Sequence, residues 1–263
     1  MLISQYSMAE DDEKLHFEKC VKAFRYYKKY VFAELNKNIS DFKGIPLSHQ
    51  KMLPNFIRQQ SDVKRCTEIN FMFILQMLDE VNAMFTDEPS AESDMGESDN
   101  ISKSFINEGS GITQSDMDRV FSTIRQFVRD WSEIGKNERD KCYSPIINAV
   151  LERYSKPSEV DILVPGAGLG RLAFEFASRG YNCEGNEFSI YMLIGSNFVL
   201  NKTDSVPFQI YPWCSTSTNN VTHEHRIAPV DIPDIETTSI PADTKFGMCA
   251  GEFVQVYSKD TDK

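Results

Sequence analysis

Two stripes of apolar residues at helical spacing run through the first third of the chain. Between residues 13 and 85, apolar side chains recur at steps of three and four, the repeat of one face of an α-helix. We interpret both stripes as faces that pack in a core, and the lysines opposite the first stripe as a solvated face. The stripes comprise Phe17, Val21, Phe24, Tyr27, Val31 and Leu35, and then Cys66, Ile69, Phe73, Met77, Val81 and Met84.

The hydrophobic pattern then breaks and returns. Residues 86–111 are rich in Ser, Glu, Asp and Gly and poor in apolar side chains, which predicts a mobile acidic insert. A third helical stripe covers residues 115–136. We therefore expect a helical N-terminal region over residues 1–150. The apolar positions of the third stripe are Met117, Val120, Phe121, Ile124, Val128 and Trp131.

Residues 151–263 change to a strand–turn–helix pattern. An apolar run at 161–165 ends in Gly166, Gly168 and Gly170, and an amphipathic helix follows as far as Gly180. Glycine permits a tight turn and close backbone approach, and the helix N-terminus offers free N–H groups to a nucleotide-like cofactor. The G-x-G-x-G spacing is typical of class I S-adenosylmethionine-dependent methyltransferases, whereas dinucleotide binders favour G-x-G-x-x-G. Taken alone, the same motif could form a turn that holds no ligand.

An acidic residue follows the glycines at a suggestive distance. Residues 181–187 have the pattern of a second strand, and Glu187 ends it about 20 residues after Gly166, where folds of this kind hold ribose hydroxyls. A carboxylate can accept two hydrogen bonds from a vicinal diol. A solvated glutamate at a strand end is the alternative, but the joint spacing favours binding. A second helix is predicted from Ser189 through Phe198.

A third apolar run, residues 246–253, ends in Glu252 and Phe253. The carboxylate could accept a hydrogen bond from the exocyclic amine of an adenine, and the ring could stack on the base. A surface acid beside a core phenylalanine is an equally good interpretation of this segment alone.

Six segments together resemble the carnosine N-methyltransferase family, and the resemblance covers nearly the whole chain, residues 24–257. The Val-Pro before the glycines is unusual, because most class I enzymes carry an acid where Val164 stands. The resemblance implies methyl transfer from S-adenosylmethionine to an imidazole nitrogen of carnosine, which gives anserine. The segments are QFVRDWSE at 126–133, LVPGAGLGRLA at 163–173, GNE at 185–187, SNFVLN at 196–201, YPW at 211–213 and AGEF at 250–253.

The resemblance also implies a set of cofactor-binding residues. Gln126 and Arg129 lie three apart on one helix face, and the family uses this Gln-x-x-Arg pair to contact the cofactor. A guanidinium suits the carboxylate at the methionine end. Without the resemblance, a surface pair with local contacts would be the better interpretation. The implied set is Gln126, Arg129, Gly166, Gly168, Gly170, Glu187, Glu252 and Phe253.

The family continues beyond Lys263 with a fourth strand, an acidic substrate-binding segment and a catalytic histidine. We therefore expect an α/β fold in which an α-helical N-terminal region precedes a partial Rossmann-like class I methyltransferase sheet over residues 151–263, with its C-terminal half missing. The first strand then lacks a neighbour, so the chain alone is expected to fold poorly and to be inactive on carnosine. We identify no catalytic base, because none of the four histidines matches a catalytic position of the family: His16, His49, His223 and His225.

Two other functions stay open beside the methyltransferase. A non-catalytic cofactor-binding or interaction protein derived from the family is the main alternative. An NAD-dependent oxidoreductase is disfavoured by the glycine spacing. The long segment 202–245, which contains YPW, corresponds to an insertion that helps to cover the active site in the family.

Composition and charge restrict the kinds of partner and the location that we expect for this chain. A net charge of −11 argues against nucleic acid as a binding partner. The sequence contains no run of 18 apolar residues, so we predict no membrane-spanning helix. The residues predict no signal peptide. Six scattered cysteines predict free, buried thiols in a reducing compartment, the cytoplasm with the nucleus as a second location. His223 and His225 indicate a solvated loop, and no metal is expected. The expected partner is a carnosine-like dipeptide, with a homodimer left open.

Overall fold

The computed structural model describes residues 10–85, 111–201 and 207–258. The N-terminal elements are helices α1 (Glu10–Gly44), α2 (Leu47–Gln50), α3 (Phe56–Phe85), α4 (Gln114–Trp131) and α5 (Lys136–Arg153). A 3-10 turn (Pro157–Glu159) leads into β1 (Asp161–Pro165), α6 (Arg171–Ala177), β2 (Asn182–Glu187), α7 (Ile190–Asn201), β3 (Phe208–Ile210), α8 (His223–Arg226), β4 (Val230–Ile232), β5 (Phe246–Ala250) and α9 (Phe253–Tyr257). The chain is thus a mixed α/β protein with a helical N-terminal part, as predicted.

Helices α1 and α3 pack against each other through the two predicted stripes. Phe24, Tyr27 and Val31 on α1 and Phe73 and Met77 on α3 are all buried in one hydrophobic core. The opposite face of α1 is not uniformly solvated, because the ammonium of Lys28 sits 5.3 Å from the centroid of the Phe32 ring. The side chains of Val81 and Met84 and the predicted insert at 86–110 lie outside the described residues.

Helix α4 is the amphipathic helix that the third stripe predicts, but it ends five residues earlier than predicted. Its N-terminus has a capping box, in which Thr113 and the carboxylate of Asp116 bond each other's backbone N–H groups. At the other end Ser132 adopts an extended backbone, with φ −124° and ψ 157°. Its hydroxyl donates to the carbonyl of Val128 at 2.6 Å, which closes the last turn. The chain then turns into α5.

The three predicted strands of the C-terminal part form one parallel sheet in the order β1-β2-β5. Asp161 lies opposite Asn182, and Glu187 lies opposite Ala250. Because the strands are parallel, their carboxyl ends meet at one edge of the sheet, where the glycine turn, Glu187 and Glu252 follow them. Within the described residues β1 pairs with β2 alone.

The described part of the long segment before β5, residues 207–245, contains strands β3 and β4 and helix α8. Strands β3 and β4 form a small antiparallel sheet, which packs on the helices through Phe208, whose ring lies 5.8 Å from that of Phe73. Our prediction of a solvated loop at His223 and His225 is wrong, because both residues lie in α8. The Nε2 of His223 contacts Asp62 on α3 at 3.1 Å, while His225 is exposed.

No helix in the described ranges is both long enough and apolar enough to cross a membrane.

Candidate cofactor site

The turn between β1 and α6 is built on three glycines in the left-handed backbone region. Gly166, Gly168 and Gly170 have φ values of 63°, 58° and 80°, which side-chain-bearing residues rarely adopt. A methyl group added at Gly166 would meet no atom within 4 Å, so this backbone faces open space. One added at Gly170 would lie 2.9 Å from Leu200. The first glycine therefore leaves room for a ligand, and the third packs against α7.

Glu187 belongs to this turn. Its Oε2 accepts a hydrogen bond from the backbone N–H of Gly168 at 2.8 Å, and its Oε1 accepts one from that of Ser189 at 2.7 Å. The side chain is half-buried. Each carboxylate oxygen has two lone pairs and uses one here, so both can accept a further bond. The structure thus places the predicted strand-end glutamate against the glycine turn rather than in solvent.

The C-terminal end of α4 approaches the same turn. A methyl group added at Gly168 would lie 3.8 Å from both the Nε2 of Gln126 and the Oδ2 of Asp130. Trp131 donates its indole N–H to the carbonyl of Leu169 at 3.1 Å, which fixes the helix to the turn. Gln126 of the predicted pair is therefore brought to the glycines together with Asp130.

Both side chains of this pair bond to Asp130. Gln126 Nε2 donates to Oδ2 at 2.8 Å, and Arg129 Nε donates to Oδ1 at 3.0 Å. Burial acts to lower the pKa of Arg129, but the neighbouring carboxylate outweighs that effect and raises it. The guanidinium is therefore held charged beside Asp130, with nearly half of its side-chain surface exposed.

A network of buried charged side chains lies directly beside the glycine turn. Arg171, directly after the third glycine, donates to the Oδ1 of Asp234 at 2.5 Å and to the backbone carbonyl of Asp130 at 2.9 Å. Its guanidinium also lies 4.9 Å from the centroid of the Trp131 ring. Arg139 bonds the other oxygen of Asp234 and the carbonyls of Arg129 and Ser132. Asp234 thereby connects the segment between β4 and β5 to α4, α5 and α6.

Sequence reasoning missed this network, although one signal was visible. A cation at the first position of a helix opposes the positive end of the helix dipole. Arg171 stands at that position in α6, so the sequence already indicated that its charge needs a partner. The identity of the partner, Asp234, had no local signature.

Glu252 and Phe253 complete the same edge. The N–H of Gly251 donates to the carbonyl of Glu187 at 3.0 Å, which joins the ends of β5 and β2. The Oε2 of Glu252 accepts a hydrogen bond from Gln255 N at 2.8 Å and caps α9. Phe253 is 42% exposed, so it is not the core phenylalanine of the alternative interpretation. An exposed ring thus stands beside a carboxylate at the strand end.

The described residues contain no cluster of three or more His, Cys, Asp or Glu side chains that could hold a metal ion. All six cysteines lie within the described residues as thiols rather than disulfides, and five of them are buried. Cys142 is exposed on α5, which corrects the prediction that every thiol would be buried. Burial raises the pKa of Cys20 and Cys66 to about 11 and that of Cys183 to about 12.

A parallel sheet with a glycine-rich turn at its carboxyl edge and a helical N-terminal part is consistent with the methyltransferase class of α/β proteins. Comparison with known proteins gives the family within that class. A sequence model of carnosine N-methyltransferase matches residues 107–263. The chain therefore belongs to the carnosine N-methyltransferase family.

Individual relatives agree with this membership. Carnosine N-methyltransferase of Rattus norvegicus is 40% identical over an alignment 270 residues long, which covers 95% of this chain and 62% of the rat protein. The Mus musculus protein is 40% identical over 259 residues, with the same two shares. Carnosine N-methyltransferase unmet of Drosophila melanogaster is 35% identical over 97% of this chain and 59% of its own length. The chain thus spans about 60% of the length of these relatives.

Proposed function

We propose that this protein is an S-adenosylmethionine-dependent N-methyltransferase that methylates an imidazole nitrogen of carnosine to give anserine. The observation that carries the proposal is the convergence of Glu187, Gln126 and Asp130 on one glycine turn, with Arg129 bonded to that Asp130, in a chain whose relatives are named carnosine N-methyltransferase. We further propose that β1, β2 and β5 belong to a Rossmann-like class I sheet.

The residues at the sheet edge fit the chemical groups of this cofactor. The open space at Gly166 admits close approach of a ligand, and Glu187 keeps acceptor capacity on both oxygens for a ribose diol. Arg129 offers a guanidinium to an α-carboxylate. The exposed ring of Phe253 offers a stacking face for adenine, and Glu252 offers an acceptor for its amine.

The bound cofactor would supply an electrophilic methyl group on a sulfonium. The contribution of this chain is then to hold both reactants in line and to exclude water, which can provide much of the rate enhancement of a bimolecular step. The imidazole nitrogen that attacks must be neutral. We assign no general base. His16 contacts Cys20 Sγ at 3.9 Å and His223 contacts Asp62, and neither of these partners belongs to the glycine turn.

Methyl transfer from labelled S-adenosylmethionine to carnosine tests this function, and it is assayed with the chain extended over the remaining length of its relatives, because the sequence predicts that residues 1–263 alone are inactive. Anserine is the matched control substrate, since it already carries the methyl group. The proposal expects labelled anserine when carnosine is the substrate and no incorporation of label when unlabelled anserine is supplied instead. Binding of S-adenosylhomocysteine without transfer would instead support a non-catalytic cofactor-binding protein. Binding of NAD in place of S-adenosylhomocysteine would support an oxidoreductase and contradict the proposal.

Several further proposals rest on sequence alone. We propose a carnosine-like dipeptide as the partner and no nucleic acid, in line with the net charge of −11. A homodimer is the assembly to test by light scattering. We propose the cytoplasm, with the nucleus second, as the location, because the six cysteines are scattered along the sequence, as expected for thiols in a reducing compartment.

A further inference from the structure

Asp130 is a buried acid in an unfavourable place. It lies in the last turn of α4, where a negative charge opposes the negative end of the helix dipole, and its side chain is only 1% exposed. Burying a carboxylate is costly unless donors surround it. Such a residue needs a compensating set of contacts, and those contacts indicate its role.

Three side-chain donors converge on the Asp130 carboxylate. Gln126 Nε2 bonds Oδ2 at 2.8 Å, while Arg129 Nε and the hydroxyl of Tyr143 bond Oδ1 at 3.0 and 3.1 Å. Two of these donors are the pair expected to contact the cofactor, with Arg129 at its methionine end. The Oδ2 atom also lies 3.8 Å from the methyl position of Gly168. The carboxylate therefore sits between the pair and the turn.

We propose that Asp130 is a positioning residue of the cofactor site, which fixes the Gln126 amide and the Arg129 guanidinium for a ligand bearing an α-carboxylate. The inference rests on the proposed function. A guanidinium has five N–H donors, and the bond to Asp130 uses the one on Nε. The four donors on the two Nη atoms are not used by this bond. The bond at Nε thus orients the two Nη groups of Arg129, which are the donors that a ligand carboxylate would meet.

The direction in which Asp130→Asn changes the ligand affinity shows whether Asp130 positions Arg129 or only neutralises its charge. If Asp130 only cancelled the charge of Arg129, then Asp130→Asn would make the site more positive and strengthen carboxylate binding. If Asp130 positions Gln126 and Arg129, the same substitution makes the orientation of the Arg129 guanidinium less fixed and weakens carboxylate binding. The two roles therefore predict opposite changes for one variant.

Calorimetry with S-adenosylhomocysteine and its decarboxylated analogue provides the test. Binding of the first ligand to the unaltered protein tests the proposed function by itself. We expect Asp130→Asn to weaken that ligand about tenfold and the decarboxylated one less than about threefold, as for loss of a charge-assisted contact. Because the effect passes through Arg129, adding Asp130→Asn to Arg129→Ala should cost less than about threefold more. The matched control is Asp140→Asn, an exposed acid paired with Lys136 on α5, which should change neither affinity.

A second variant covers the case in which Asp130→Asn does not fold. Tyr143→Phe removes one donor from the same carboxylate and leaves every charge in place. It should weaken S-adenosylhomocysteine about two- to threefold and spare the decarboxylated ligand. Unchanged or tighter binding of S-adenosylhomocysteine in the folded variants overturns the inference. Equal losses for the two ligands also overturn it, since they assign Asp130 a structural role only.

Discussion

Asp234 should be among the most sensitive single positions for the stability of this protein. Arg139 and Arg171 both bond its carboxylate, and all three side chains are at most 6% exposed. Arg171 also pairs with Glu175, so these four charges sum to zero. Asp234→Asn keeps the shape of the side chain and leaves one uncompensated positive charge in the interior.

The expected cost follows from that residual charge. Removing one partner of a buried ion pair typically costs about 3–5 kcal/mol. We expect about 3 kcal/mol here, because Arg139 keeps its bonds to two backbone carbonyls and Arg171 keeps Glu175. This is a large share of the roughly 5–15 kcal/mol by which proteins are stable.

Equilibrium unfolding in urea measures the effect. The midpoint should fall while the slope stays unchanged, since the surface exposed on unfolding is the same. Asp231→Asn is the matched control, because Asp231 is exposed on β4 three residues earlier and should cost under about 0.5 kcal/mol. A free energy of unfolding for Asp234→Asn within about 1 kcal/mol of the unaltered protein would refute the account of this network.

Three further predictions concern the turn, the thiols and the capping box. Gly166→Ala adds a methyl group in open space, so it should cost only about 1–2 kcal/mol of strain yet abolish binding of S-adenosylhomocysteine in calorimetry; retained affinity would move the ligand away from this turn. Iodoacetamide at pH 8 followed by mass spectrometry should label exposed Cys142 first, because burial raises the pKa of Cys183 to about 12; equal labelling rates would contradict the burial. Burial acts to raise the pKa of Asp116, but hydrogen bonds from Thr113 and the contact with Lys19 hold it at about 2, below the unfolded value of about 3.9. Its stabilisation is therefore complete above about pH 4 and is lost as the pH falls towards 2; the melting temperature of Asp116→Asn should be less dependent on pH in that window, and parallel curves for the two proteins would disprove this.

Local patterns in the sequence were sufficient to predict the elements that carry the candidate site. The apolar runs before the glycines and before Glu252, and the predicted strand that ends at Glu187, became the three parallel strands. Parallel pairing then brings those strand ends together without further information. The helical stripes likewise predicted α1, α3 and α4, because each presents one apolar face to the core.

The polar contacts beneath the site could not be predicted in the same way. Arg171 and Asp234 are 63 residues apart, and no spacing rule connects them. Asp130 resembled any polar residue of a helix until its position against Gly168 was known. Helix α5 was missed because its sequence has no clear apolar stripe, and only Arg139 and Ile147 are buried on it.

Affinity for S-adenosylhomocysteine in Glu187→Gln tests the central claim most directly. Glu187 is the residue through which the second strand meets the glycine turn, and it is the proposed acceptor for the ribose diol. We expect the substitution to weaken S-adenosylhomocysteine at least about tenfold, as for loss of charge-assisted bonds. Glu159→Gln, a substitution of an exposed glutamate that pairs with Lys156 before β1, should leave the affinity unchanged. Equal affinity in Glu187→Gln and the unaltered protein would contradict the assignment of this edge of the sheet as the cofactor site.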